Sequence, residues 1–164
     1  MYSLSIKIQS IAILKKPKEK TVVSFEQLNK ENHKITELSN ILSLLVEDRL
    51  LCDSETCNEL FFEYMDNVTE HIHDIDVNLY QDLLTHSSKD MNNVAKNFMS
   101  GSQEIKRIMS NYKKKWCKKK GRELSIGAKH DAFLKETSEM FGLVLNRLQN
   151  EMEHLYPAVR KINS

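Results

Sequence analysis

The sequence has few residues that break helices, and it has no long apolar run. Only four glycines and two prolines occur in 164 residues, and these are the residues that most weaken a helix interior, so their scarcity favours an all-α fold. No segment approaches the ~20 consecutive apolar residues of a membrane span. We therefore expect a soluble protein without membrane contact, and a chain of this length most simply forms one domain.

Cysteine is also scarce. Cys52, Cys57 and Cys117 are an odd number without the spacing of a disulfide framework, which argues for a reducing compartment and hence the cytoplasm. Cys52 and Cys57 are either a redox pair, if a loop brings them together, or, as we expect, two unrelated thiols. The opening stretch MYSLSIKIQSIAILKKPKEK has no basic region before its apolar part and does not resemble a secretory signal. We predict an N-terminal arm over residues 1–23.

Positive charge is concentrated in one place. The net charge is +1, but residues 113–122, KKKWCKKKGR, carry seven positive charges and no negative one; we call this segment the basic pole. A nucleic-acid binder would spread its positive charge over a face, so we do not expect a nucleic-acid partner. Cations at a helix C-terminus are also favoured by the helix dipole alone. If the pole has a ligand, the sequence predicts an acidic protein, with Trp116 in the core.

Apolar residues recur at spacings of three and four in four segments, which predicts four amphipathic helices. A capping box, Ser24 with Gln27, opens the first helix. The predicted helices run from Ser24 to about Leu50, from a cap at Asp53 or Ser54 to near His86, from about Met91 to Trp116, and from near His130 onward. Short connections between them predict an antiparallel, up-down-up-down four-helix bundle over residues 24–164.

Two carboxylates fall on apolar stripes. In an ideal helix Glu151 lies within about 20° of Val144, the centre of the fourth apolar face, and Asp76 lies about 40° from the centre of the second. A carboxylate in a core must be paired, protonated or bound to a metal. Arg147, one turn before Glu151, is the nearest partner for an ion pair. Both carboxylates therefore mark a candidate internal site.

Histidines near these carboxylates raise the alternative of a metal. His73 shares a face with Asp76, His71 lies on the opposite flank of the same helix, and Glu31 occupies the seam of the first helix. Imidazole and carboxylate ligands from facing helices are how iron and manganese sites are built.

Two observations limit the metal hypothesis. His33 projects about 140° from Leu38, away from the seam. The third helix has Gly101 and Ser102 in its middle, where small residues let backbones approach, and it has no histidine.

The pattern VTEHIHDIDVNLYQDLL, echoed by VLNRLQNEMEHLYPAV, resembles the hemerythrin-like (HHE cation-binding) domains. In these a histidine, an acidic residue four or five positions on and a Leu-Tyr pair recur twice. The resemblance covers roughly residues 25–160. It implies a four-helix bundle that binds a cation such as iron, or that senses oxygen, nitric oxide or redox state.

Carried over to this chain, the resemblance places His71 at the histidine position of the second helix and Asp76 near its acidic position. Glu151 takes the acidic position of the fourth helix, but Arg147 stands where a histidine is expected. The residues predicted to contact a metal are His71, Asp76, Glu151, His73, Glu31 and His154. Iron in a mononuclear or altered di-iron site is the expected cofactor, or none if an Arg147–Glu151 pair replaces the metal.

No catalytic motif is present, so we do not expect an enzyme. The resemblance implies a cation-binding or sensory bundle. The alternative is a metal-free interaction or regulatory bundle. A diffuse similarity of GSQEIKRIMSNY and the fourth helix to bacterial regulators that bind sigma factors indicates that such a bundle can work without a metal.

Overall fold

The computed structural model of the chain describes residues 24–164, and most of this region is helical. The predicted arm, residues 1–23, lies outside the described residues. The elements are α1 (Phe25–Glu47), α2 (Arg49–Cys52), α3 (Glu55–Asn78), α4 (Tyr80–Thr85), α5 (Lys89–Trp116), α6 (His130–Asn150), a π segment (Glu151–Leu155) and α7 (Tyr156–Ile162). Over this range the only β pairing is an isolated bridge between Cys117 and Leu124, which confirms the all-α prediction. None of these helices is both long and apolar enough to pass through a membrane.

The first predicted helix begins as expected and ends earlier. Ser24 caps α1 by accepting a hydrogen bond from the Gln27 amide at 3.1 Å. The predicted end at about Leu50 is wrong, because Asp48 adopts an extended conformation (φ −88°, ψ 121°) after Glu47. The Asp48 carboxylate then accepts from the amides of Leu50 and Leu51 at 2.9 and 3.2 Å. Asp48 therefore ends α1 through its extended backbone and caps the N-terminus of α2 through its side chain.

The second predicted helix is also interrupted. Of its two candidate caps Ser54 is the one used, since its hydroxyl accepts from the Cys57 amide at 3.1 Å. The helix does not run unbroken to His86, because Leu79 (φ −105°, ψ −22°) separates α3 from α4. Beyond α4, the Asn92 side-chain amide donates to the carbonyls of Leu83 and His86 at 2.8 and 2.9 Å. The Asn92 amide thus provides hydrogen bonds to carbonyls that have no partner within the helix at the C-terminal end of α4.

The fourth predicted helix contains a π turn. The Tyr156 amide donates to the carbonyl of Glu151, five residues earlier. Pro157 follows directly and has no amide hydrogen, and its ring would press on the carbonyl of Glu153 in a regular helix. The wider turn before Pro157 accommodates this residue without ending the helix.

Both Leu-Tyr pairs of the sequence pattern coincide with these irregularities. Leu79 and Tyr80 stand at the break between α3 and α4, and Leu155 and Tyr156 stand at the junction of the π segment with α7. All four side chains are buried. Each pair lies at the same distance along the chain from a cation of the candidate site, His71 or Arg147.

Two apolar clusters form the interior. In the larger one Phe61 stacks on Tyr112 with ring centroids 5.8 Å apart, and Trp116 meets Phe133 edge to face at 5.4 Å. Trp116 is buried, and its indole N–H donates to Glu136 at 2.6 Å, as expected for a core residue. The smaller cluster includes Leu28, Ile75, Leu83, Leu155 and Tyr156. α1 packs on α3 and α6, and α5 packs on α4 and α6.

Polar side chains lie at the boundary of the two clusters. On α1, Glu31 falls between Leu28 of the smaller cluster and Ile35 of the larger. Along α6 and the π segment, Glu151 falls in the same way between Leu148 and Leu155. We call the set at this boundary the polar layer. It consists of the buried residues His71, Tyr80, Ser102, Arg147 and Glu151, together with the partly buried Glu31.

Candidate functional site

His71 is the centre of the polar layer. Its side chain is 1% exposed, and its two ring nitrogens meet carboxylates of two other elements. Nδ1 lies 2.6 Å from Glu31 Oε2 of α1, and Nε2 lies 2.7 Å from Glu151 Oε1 of the π segment. The Glu151 side chain is 0% exposed. These contacts join three elements that are distant in sequence.

The ionisation of His71 follows from this geometry. Burial alone would lower the pKa of His71, but the hydrogen bonds and charges of Glu151 and Glu31 outweigh it and raise the pKa to about 9. The imidazole is therefore cationic at neutral pH and donates an N–H to each carboxylate. Burial opposes ionisation of Glu31 as well, yet the hydrogen bond from His71 holds the pKa of Glu31 below its ordinary value. Beside them, burial and a hydrogen bond with Glu31 raise the pKa of Asp74 to about 6.

Arg147 continues the layer towards α4 and α5. Nε donates to Glu151 Oε2 at 3.2 Å, and Nη2 donates to the Tyr80 and Ser102 hydroxyls at 2.8 and 2.9 Å. Nη1 donates to the backbone carbonyl of Phe98 at 2.8 Å. The guanidinium also lies 4.8 Å from the centroid of the Phe98 ring, in the range of a cation–π contact. The buried guanidinium thus donates hydrogen bonds to four different residues.

A glycine provides the room for this cation. A Cβ placed on Gly101 would lie 2.9 Å from Arg147 Nη1, closer than the two groups can approach. Glycine inside a helix costs roughly 0.5–1 kcal/mol relative to alanine. The close approach of α5 to Arg147 accounts for its presence here, whereas Gly142 of α6 has no atom within 4 Å of the corresponding position.

The charges of the layer alternate in sign. Glu31, His71, Glu151 and Arg147 follow one another in contact, so each charge touches one or two charges of opposite sign. An unpaired ion in such a place costs several kcal/mol, and the alternation offsets most of this cost. The four charges sum to zero. Tyr80 and Ser102 extend the contacts to α4 and α5, so the layer touches every long helix.

The predicted site residues separate into two groups. Glu31, His71 and Glu151 come together, and the predicted burial of Glu151 and its pairing with Arg147 are confirmed. Asp76 stays outside, since its carboxylate pairs with Lys106 of α5. The remaining predicted metal ligands, His73 and His154, are exposed.

Sequence reasoning does not identify three of the groups that Arg147 contacts. Tyr80, Ser102 and the Phe98 carbonyl all accept hydrogen bonds from Arg147. From the sequence, Ser102 and Gly101 are expected only to be small residues that allow close packing. A hydroxyl on the apolar stripe of a helix can indicate a member of a buried polar site, because a buried hydroxyl needs a hydrogen-bond partner. A backbone acceptor such as that of Phe98 leaves no trace in the sequence.

This arrangement does not fit the expected metal centre. Both nitrogens of His71 are engaged with different carboxylates, and the second oxygen of Glu151 faces a guanidinium. Among residues 24–164, no three His, Cys, Asp or Glu side chains are grouped so that they could hold a metal ion. Metal ligation by the six residues named from the sequence stays a prediction.

Cys52 and Cys57 are neighbours, contrary to the expectation of unrelated thiols. Cys52 ends α2, Cys57 lies in the first turn of α3, and both are buried and free. A hydrogen bond between the two thiols raises the pKa of Cys52 and lowers the pKa of Cys57. Cys117 lies apart from them at the end of α5.

Comparison of the chain with protein-family models, with curated proteins and with solved structures finds no match. The likeness to hemerythrin-like domains therefore depends on the two sequence stretches that carry it. What the chain does must be inferred from its own residues, chiefly those of the polar layer.

Removal of the Glu151 charge should be strongly destabilising. In Glu151→Gln, two buried cations, His71 and Arg147, share a single carboxylate, so we expect the free energy of unfolding to fall by about 3–5 kcal/mol. Urea unfolding measures this value. The matched control is Glu153→Gln, an exposed position in the same turn, for which a change within about 0.5 kcal/mol is expected. Equal effects of the two substitutions would contradict a buried charged layer.

The stability of the protein should fall as the pH rises from neutral. Because the pKa of His71 is raised from 6.5 to about 9, its stabilising contribution is complete below pH 6.5 and is lost as the pH passes through 9. This contribution is on the order of 3 kcal/mol. Unfolding free energies at pH 6 to 10, compared between the protein and His71→Gln, measure it. The two curves should converge with rising pH; parallel curves would show that His71 is not cationic in the folded protein.

Proposed function

We propose that this chain is a metal-independent regulatory bundle of hemerythrin-like type, which acts by binding an acidic protein partner and not by catalysis. We infer that its long helices form an antiparallel, up-down-up-down four-helix bundle, in which the polar layer stands where hemerythrin-like domains hold their metal. The observation that carries the proposal is the engagement of His71 and Glu151 with each other and with Glu31 and Arg147.

Protonation supports the absence of a metal. A histidine binds a metal only as the neutral base. The pKa of His71 is raised to about 9, so at pH 7 the protonated imidazole outnumbers the neutral form by about 100 to 1. A metal would have to displace this proton in order to bind. Arg147 places a permanent positive charge against Glu151, which needs no further ligands to be stable. The positive charge that a metal would supply is already present.

The basic pole supports the partner. Lys115, Lys118 and Arg122 are paired with Glu136, Glu123 and Asp66. The other four lysines of the pole are exposed and form no ion pair with any residue of the described chain; they are Lys113, Lys114, Lys119 and Lys120. Their charge is therefore open to a partner, and cations spaced in this way favour an acidic surface.

The turn that carries part of the basic pole has a defined conformation, because backbone hydrogen bonds fix it. The Lys118 amide donates to the Glu123 carbonyl at 2.9 Å, and the Ser125 amide donates to the Trp116 carbonyl at 2.7 Å. Gly121, at φ +88°, allows the chain to reverse there. Trp116 anchors the turn to the core. Lysines held on such a turn lose less conformational freedom when a partner binds than lysines on a flexible tail.

A cation-binding or sensory function, the one that the resemblance implies, is the second candidate. It is favoured by one observation, the gathering of Glu31, His71 and Glu151 in one layer. In that case iron would be held by these side chains after His71 loses its proton, and the domain would respond to oxygen, nitric oxide or redox state.

Metal content separates the two candidates. Protein purified from iron-replete cells should contain less than about a tenth of an equivalent of any transition metal, since the site favours protons over metal. Elemental analysis by mass spectrometry measures this content, and a chelator should leave the melting temperature unchanged, because no bound ion stabilises the native state. About one equivalent of metal, together with a melting temperature lowered by chelator, would reject the first candidate in favour of the second.

Neutralising the free lysines of the pole should abolish partner binding. We expect the quadruple Lys→Gln variant at positions 113, 114, 119 and 120 to lose proteins that the unmodified chain captures from lysate of its own source, by about tenfold in recovered amount. Quantitative mass spectrometry of the captured proteins measures the loss. The control carries the same change in charge at four exposed lysines elsewhere, at positions 89, 96, 135 and 161. Equal capture by both variants would leave the pole without a role.

A further inference from the structure

A groove remains between α5 and α6, beside the polar layer. Its volume is about 540 Å³, within the range of small-molecule sites. Phe98, Gly101 and Ile105 line it from α5, and Leu143 and Arg147 line it from α6. It is thus an apolar space with a buried cation in one wall.

Arg147 has one hydrogen-bond donor to spare in that wall. A guanidinium has five N–H groups, and four of them donate to Glu151, Tyr80, Ser102 and the Phe98 carbonyl. The fifth, on Nη1, has no acceptor among the described residues. Nη1 is also the atom that a side chain at Gly101 would cover. The absence of that side chain leaves the spare donor next to the groove, where an acceptor oxygen could complete its hydrogen bonding.

The charges around the groove select against an anion. The positive charge of Arg147 is neutralised within the polar layer, whose four charges sum to zero. The charged residue that lines the groove from α5 is Glu104, which is negative and paired with Arg107 at 2.6 Å. The other polar side chains of the rim are the amides of Asn97, Asn146 and Asn150 and the imidazole of His154. Amides can both donate and accept without carrying charge.

We propose that this groove binds a small uncharged molecule with an aromatic body and a carbonyl oxygen that accepts the spare hydrogen bond of Arg147 Nη1. Phe98, Ile105 and Leu143 cover the aromatic body, and the asparagines solvate its polar edge. Because the ligand oxygen accepts a hydrogen bond from Arg147, a bound ligand is in direct contact with the polar layer. The site does not depend on the partner of the basic pole.

The probe for this site is 2-naphthamide, titrated against the full chain and followed by ligand-detected NMR. We expect a dissociation constant of about a millimolar or tighter, the range for a ligand of this size. 2-Methylnaphthalene, which lacks the carbonyl, should bind about tenfold more weakly, a ratio typical of one hydrogen bond to a charged group. 2-Naphthoate should also bind more weakly than the amide. No binding of the amide, or tighter binding of either comparison compound, would overturn the proposal.

Substitutions locate the site. Gly101→Ala displaces Nη1 and should weaken 2-naphthamide binding about tenfold, whereas Gly142→Ala, a matched change in open space on α6, should leave it unchanged. Asn146→Trp fills the groove from its exposed rim and leaves every residue of the polar layer unsubstituted, so it tests the location even if Gly101→Ala does not fold. It should abolish binding while the melting temperature stays the same. Undiminished binding to Asn146→Trp would place the ligand elsewhere and overturn the proposal.

Discussion

The removal of Glu151 and His71 from water is the constraint that the other features of the interior satisfy. Each of these groups would be unstable alone at its depth, and each is stable because its neighbours have the opposite charge. Glu31 balances His71 from α1, and Arg147 balances Glu151 from one helical turn away. On α5 a glycine, Gly101, leaves room for the guanidinium. The packing of the helices, the glycine on α5 and the ionised state of His71 therefore all contribute to neutralising the buried charges.

Two of the deviations from regular helix bring residues of the smaller apolar cluster next to the polar layer. The π turn at Glu151–Leu155 lies directly after Arg147 and its helix, and the break at Leu79 brings Tyr80 to the other side of the same guanidinium. Pro157 gives a local reason for the first deviation. The structure shows no comparable local cause for the second. In both cases the following tyrosine is buried, so each irregularity turns an aromatic ring inwards.

The sequence predicts the helical periodicity and the buried carboxylate well, because both depend on spacing along one helix. The stripe that contains Val144 and Glu151 and the pairing with Arg147 at i, i+4 are local properties. Contacts between helices are not local, so the partnership of His71 with Glu31 could not be derived from spacing. For the same reason the sequence places Asp76 in the same internal site, whereas its carboxylate pairs with Lys106. Helix ends were missed where one side chain overrides periodicity, as Asp48 does at the end of α1.

The boundary between the two apolar clusters also determines how the helices are aligned along their length. Sliding α1 by one turn, about 5.4 Å, would carry Glu31 away from His71 and leave the imidazolium with one counter-ion, whereas apolar side chains could find substitutes after the same slide. Alignment is therefore set by a few ionic contacts, and the surrounding hydrocarbon mainly fills space. Conservative exchanges among leucine, isoleucine and methionine in either cluster can then accumulate during evolution without altering the relative placement of the helices.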